Sequence, residues 1–356
     1  MSSVVSDGYR RRIRSRELFY ALLLLALLLA AWAAWQMLGA RAAKRGVVTD
    51  TAPTLLRPPF SADVAQPLPE RVELDARRVA LGQQLFHDVR LSADDSVSCA
   101  SCHALAAGGV DHRARSVGIR GGVGSVNAPT VFNSGFNLAQ FWDGRAPTLE
   151  AQIDGPVQHP LEMGSTWGQV LSKLRADAAL VQRFVDLYPK GLDVESIKDA
   201  IATFERSLIT PNSRFDHFLR GDKAALSPPE QHGWVLFQSY GCASCHQGIN
   251  LGGNMYEKMG VMGDYFAHRG NVTEADKGRY NVTHDAQNLH EFRVPTLRNV
   301  ALTAPYFHDG SAGTLEQAVA VMARYQLGRE LPETDLHDVT AFLRSLTGAS
   351  LEVKTP

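Results

Sequence analysis

The chain is poor in cysteine: it has four in 356 residues, and every one falls inside a copy of the same pentapeptide. That excludes a disulfide-dense scaffold. An excess of charge is missing too, with 36 Lys and Arg against 37 Asp and Glu and a net charge of −1. Nucleic acid is therefore not an expected partner. Steady alternation of apolar and polar residues is scarce, so few strands are expected and the fold class reads as mainly α. What is present is ordinary globular material, 45% hydrophobic and 21% charged. The length allows two compact domains after a membrane-proximal segment.

One long apolar run stands at the N-terminus. Residues 1–17 carry Arg10, Arg11, Arg12, Arg14 and Arg16, and residues 18–38 then contain no charge. A helix of that length spans about 30 Å, the hydrocarbon thickness of a bilayer. The arginines outnumber Arg41, Lys44 and Arg45 on the far side, which places residues 1–17 in the cytoplasm. The expectation is a single-pass inner-membrane anchor with the remainder in the periplasm. The alternative is a signal peptide cut near Ala40-Arg41-Ala42, although such apolar regions usually run about 7–15 residues.

Residues 39–70 hold Pro53, Pro58, Pro59, Pro67 and Pro69 and read as an extended tether. Helical spacing begins near Leu74, and further helices are expected near 168–187, 193–209, 228–239, 314–326 and 334–346. Thr314-Leu315-Glu316-Gln317 reads as a capping box. The stretches 104–136 and 247–300 are rich in Gly, Asn and Pro; loops that long are usually functional, and wrapping a large cofactor would explain them. An internal repeat links Leu81-Gly82-Gln83-Gln84-Leu85-Phe86 before Cys99-Ala100-Ser101-Cys102-His103 with His232-Gly233-Trp234-Val235-Leu236-Phe237 before Cys242-Ala243-Ser244-Cys245-His246. Two related domains follow, 71–220 and 221–356, hinged between Gly221 and Pro229.

Cys-x-x-Cys-His is the attachment signature of c-type haem. Cys99 and Cys102, and again Cys242 and Cys245, would bond the haem vinyl groups, with His103 and His246 as proximal iron ligands. Two complete copies and no other cysteine outweigh a zinc or dithiol reading. A second protein ligand favours electron transfer, whereas an open position permits peroxide or dioxygen chemistry. For the second haem Met322 is the candidate, with Tyr325 one turn on as the alternative and core packing as the bland reading.

From about residue 74 to 347 the chain resembles the bacterial di-haem cytochrome c peroxidases. The resemblance rests on Leu85-Phe86, Arg90-Leu91-Ser92, both CASCH copies, Asn127-Ala128-Pro129-Thr130-Val131 and Gln140-Phe141-Trp142-Asp143-Gly144-Arg145. Gly155-Pro156, Glu162-Met163, Val294-Pro295-Thr296-Leu297-Arg298-Asn299 and Ala304-Pro305-Tyr306-Phe307-His308-Asp309-Gly310 complete it. It implies two mainly helical cytochrome-c-like domains, with the last helix packing back on the first. The first haem would then be the peroxidatic one, and the second a His246/Met322 electron-entry site. Glu162 would act as acid and base, Gln152 would orient ligand or water, and Trp142 would lie between the haems. Asn127, Thr303 and Pro305 would hold a calcium ion, unless Asn127 merely caps its loop. Donors implied are a small periplasmic cytochrome c, a cupredoxin or a quinol. Homodimers are common in the family and are among the assemblies it allows.

One position departs from the family. The loop histidine that caps the peroxidatic iron at rest is replaced by Ile119, in Ser116-Val117-Gly118-Ile119. The first haem is thus expected to lack a second protein ligand, unless His112 substitutes. His308 is a candidate neighbour of a haem propionate. Two other functions remain open: peroxide-driven oxidation of a partner protein's side chains, as in the related methylamine dehydrogenase maturation enzyme, and a non-enzymatic electron carrier or sensor.

Overall fold

Among the described residues Asp75 caps the first helix by accepting the backbone N–H of Arg77, and α1 runs Ala76–Phe86 with Leu81, Gly82, Leu85 and Phe86 buried. It crosses α6, Val194–Ser207, at Gly82, where a Cβ would overlap the Ala200 carbonyl and come within 2.7 Å of the Phe204 Cβ. Only glycine lets two backbones approach this closely. Between them come α2 (Cys99–Cys102), α3 (Leu149–Gln158), α4 (Trp167–Arg175) and α5 (Ala178–Leu187). Leu85, Leu149, Ile153, Leu174, Phe184 and Ile201 join in the first hydrophobic core.

The second half repeats this plan. α7 is Arg214–Leu219, α8 is Pro228–Ser239, and short α9 (Tyr265–Arg269) and α10 (Tyr280–Thr283) sit in the long loop. α11 (Leu315–Gln326) and α12 (Glu333–Arg344) follow. Here α8 crosses α12 at Gly233, whose Cβ would overlap the Asp338 carbonyl and lie 2.9 Å from the Phe342 Cβ. Strands are confined, among the described residues, to an antiparallel pair, β1 (Tyr256–Lys258) and β2 (Glu291–Arg293), in register Tyr256 to Arg293. The computed structural model describes residues 64–349.

Several expectations change. The helix expected over 168–187 is two, because Asp177 accepts the N–H of Leu180 and caps a new helix at Ala178. The last helix does not pack back on the first half; α12 lies on α8, and Phe342 meets Phe215, Trp234 and Phe237. Each half is closed by its own crossed helix pair. The boundary also moves: Phe215 and Leu226 belong to the second core, so the first half ends before α7 rather than at 220.

The end of the expected tether is docked rather than free. Leu68 is buried, its N–H donates to Asp216 at 3.0 Å, and Arg298 donates to the Gln66 carbonyl at 2.7 Å. Arg298 and Asp216, both fully buried, pair at 2.8 Å. Residues 1–63, including the expected anchor at 18–38, lie outside the described residues. Among the described residues no helix is long and apolar enough to cross a membrane.

Candidate haem sites

α2 brings Cys99, Cys102 and His103 to one end of the first core. The His103 Nδ1 lies 3.3 Å from the Gly109 carbonyl; a carbonyl only accepts, so Nδ1 carries the proton and Nε2 is left for a metal. His246 repeats this with the Leu251 carbonyl at 3.2 Å. Burial keeps both rings neutral: it lowers the pKa of His103, and that of His246 to about 4. Burial also pushes the Cys99 thiol up to about 12 and Cys242 to about 11. A neutral thioether suits so apolar a setting. No cysteine pair is joined.

Each motif opens on its own cavity. The first is walled by Cys99, Cys102, His103, Gln152, Pro156 and Glu162, with Leu149, Ile153 and Ile201 as apolar lining. The second encloses 390 Å³ and is walled by Cys242, Cys245, His246, Trp142, Phe237 and Met322. Both long loops contribute, through Ser125–Val131 to the first and Phe292–Leu297 to the second. The sites fit haem chemically. Apolar walls face a histidine with a free Nε2, while Ser134 Oγ, Glu205 Oε2 and Arg293 Nη1 are buried without partners along the first cavity.

Glu162 is half-exposed beside His159, 3.5 Å away, and burial raises its pKa against the pull of His159 and Arg145. Its carbonyl accepts the Ile119 N–H at 2.8 Å. Ile119 is buried with its side chain against Gly164, away from the cavity lining. The His112 Nδ1 is held 2.9 Å from the Ala304 carbonyl, and His112 does not line the cavity. Among the described residues, His103 is the only histidine that does. Met163, also in that wall, is packed into the first core.

Trp142 donates its indole N–H to the Asn127 carbonyl at 2.9 Å and meets His308 edge to face at 6.3 Å. Met322 lines the second cavity, whereas Tyr325 is packed against Tyr265 and His268. Asn127, Thr303 and Pro305 all line that cavity. His308 pairs with Asp276 at 2.7 Å, and Arg269 bridges Asp276 and Asp309. That acidic group therefore already holds a cation.

A second repeat, missed in the sequence reading, relates the two cavities. Gln140 N–H to Ala146 carbonyl (2.7 Å) closes the loop around Phe141-Trp142-Asp143-Gly144, and Tyr306 N–H to Ala312 carbonyl (2.8 Å) closes Phe307-His308-Asp309-Gly310. Phe141 and Phe307 both have left-handed backbones, at φ 67° and 69°. Each loop runs into a Thr-capped helix, Thr148 before α3 and Thr314 before α11. Counting from those caps, Met322 in the second half corresponds to Pro156 in the first. On the crossing helices, Phe204-Glu205-Arg206 corresponds to Phe342-Leu343-Arg344. The pairing Arg206–Glu150 recurs as Arg344–Glu316.

Glu205 thus puts a buried carboxyl where the second half has a leucine. Burial pushes its pKa up to about 8, so between about 4.3 and 8 the folded chain holds a proton that the unfolded chain releases. Stability should fall as pH rises through that window. Glu205→Gln should raise the melting temperature relative to the parent more at pH 9 than at pH 4; thermal melts at the two values check this.

The family model described as di-haem cytochrome c peroxidase matches residues 76–224. The chain is 52% identical over 300 residues to cytochrome c peroxidase Ccp of Escherichia coli strain K12, covering 84% of this chain. It spans 63% of that relative's length. It is 42% identical over 321 residues to the cytochrome c551 peroxidase of Nitrosomonas europaea, covering 90% of this chain and 91% of that one. Among solved structures, a MauG-like protein associated with microbial copper homeostasis superposes with a TM-score of 0.70 at 28% identity, over 80% of this chain and 95% of that one.

Proposed function

The chain belongs to the di-haem cytochrome c peroxidase family, and on that premise we propose that it reduces hydrogen peroxide to water at the first site with electrons entering at the second. The observation that carries this reading is the exchange of Met322 for Pro156, a residue with no atom able to bind iron, in the wall that holds Glu162. Haem held by Cys99, Cys102 and His103 would supply the redox chemistry.

Hydroxide is a poor leaving group unless protonated. Glu162, as carboxylate, takes a proton from one peroxide oxygen and returns it to the other, so that water leaves. Gln152, one turn before Pro156 on α3 and in the same wall, holds peroxide or water by its amide. Two electrons and two further protons complete the reduction to two waters. Electrons enter through the His246/Met322 site from a small cytochrome c, a cupredoxin or a quinol and cross by Trp142. Calcium at Asn127, Thr303 and Pro305 draws support from their lining one cavity and from an all-oxygen donor set. Residues 18–38 would hold the catalytic part on the periplasmic face of the inner membrane; the support is their uncharged run behind five arginines.

Ile119, Pro156 and the tethered His112 together point to a first haem without a second protein ligand, ready without prior reduction. Oxidised protein given peroxide and a reduced small cytochrome c should turn over at once, with the same rate after pre-reduction. No consumption in either state would overturn the reading. Peroxide-driven oxidation of a partner's side chains is the rival; the resemblance to the methylamine dehydrogenase maturation enzyme would put a tyrosine ligand where this chain has Met322, and Met322 lines the cavity while Tyr325 does not.

A further inference from the structure

Arg293 is 3% exposed. Its Nε donates to the Phe141 carbonyl at 3.2 Å, and its backbone N–H donates to the Trp142 carbonyl at 2.8 Å. Its Nη1 is buried and has no partner. No carboxylate within salt-bridge distance of it is found among the described residues, in contrast to buried Arg298, which has Asp216. Burial without a counter-charge pushes its pKa down to about 10. A guanidinium left so is costly unless an anion meets it.

Its position says where that anion comes from. Arg293 lines both cavities. In the second repeat Asn127-Ala128-Pro129-Thr130 corresponds to Arg293-Val294-Pro295-Thr296, so Arg293 is the counterpart of Asn127. The two halves lock reciprocally at these residues: Asn127 N–H donates to the His308 carbonyl at 2.7 Å, as Arg293 does to Trp142. Asn127 also lines both cavities but carries no charge. The junction thus holds one fixed guanidinium for two cofactors that each bear two propionate carboxylates.

We propose that Arg293 is a positioning residue for both haems, with its free Nη1 paired to a propionate where the two cavities meet. A planar guanidinium suits a carboxylate in two-point contact, which lysine cannot reproduce. Its positive charge favours the reduced state of the haem it faces. The inference concerns the cofactors and is independent of which substrate is reduced.

The test compares full-length holoprotein with Arg293→Gln and Arg293→Lys, reading haem content, the resonance Raman propionate bending bands and the midpoint potential of each haem. Both variants should keep both haems, which are fixed by cysteine. Arg293→Gln should move a propionate band and lower the potential of at least one haem; the haem with the larger fall is the one paired. Arg293→Lys should move the same band by less, with a smaller fall in potential. Unchanged bands and potentials in Arg293→Gln overturn the assignment. If that variant does not mature, a parental propionate band in Arg293→Lys overturns it instead.

Discussion

Glu162→Gln should lower peroxide turnover about 10²–10⁴-fold while leaving both haem spectra close to parental. Glutamine preserves shape and hydrogen bonding but cannot carry a proton from one peroxide oxygen to the other. The Glu162 backbone carbonyl holds Ile119 through an N–H that any side chain would leave intact. The sign of the pH dependence follows from its environment. As the first proton acceptor Glu162 must be ionised, and burial raises its pKa above the usual carboxylate value of about 4.3. Turnover should fall as pH drops through that raised value. A steady-state pH profile with reduced cytochrome c as donor should show this acid limb in the parent and lose it in the variant. A variant that keeps more than a tenth of parental activity would remove Glu162 from the chemistry.

The second large effect lies in the helix crossings. Gly82→Ala and Gly233→Ala should each cost about 3 kcal/mol, the upper end for inserting one carbon into a packed site. The atoms met are backbone carbonyls of Ala200 and Asp338, which cannot turn aside as a flexible side chain can. Gly168→Ala is the control: it is helical and exposed, with the nearest non-neighbour atom 3.9 Å from its would-be Cβ. It should be neutral or stabilising by up to about 1 kcal/mol. Denaturant unfolding of the three variants separates the cases. The two crossings also wall different cavities, through Ile201 and Glu205 for the first and Val339 and Leu343 for the second. Gly82→Ala should therefore perturb the His103 haem spectrum and Gly233→Ala the His246 one.

Much of the site was legible because haem attachment needs fixed spacing. The CASCH copies and the helix before each could be read directly, and the Thr314 cap has the expected geometry, with Gln317 N–H to Thr314 Oγ at 3.2 Å. Periodicity could not reveal the break at Asp177, since apolar spacing continues on both sides. Nor could it show the docking of Leu68, whose partners Asp216 and Arg220 are 148 and 152 residues away. The packing of α12 on α8 became clear only from contacts, because an apolar stripe does not name its partner.

The second repeat left a weak trace, Phe-x-Asp-Gly-x-Ala at 141–146 and again at 307–312. Its spacing differs from that of the CASCH copies, because the segments between are of unequal length. Yet it is this repeat that sets Pro156 against Met322 and Arg293 against Asn127, while the helix crossings set Glu205 against Leu343. Where the halves agree, as at Gly82 and Gly233, packing demands it. Where they differ, one site gains or loses a chemical group.

The central claim is that the His103 haem rests without a second protein ligand while the His246 haem has Met322. Electron paramagnetic resonance of the oxidised, as-isolated full-length protein tests it most directly. One high-spin ferric signal that becomes low-spin on adding cyanide, beside one low-spin signal unaffected by it, is the predicted result. Two low-spin ferric haems in the resting protein would contradict it.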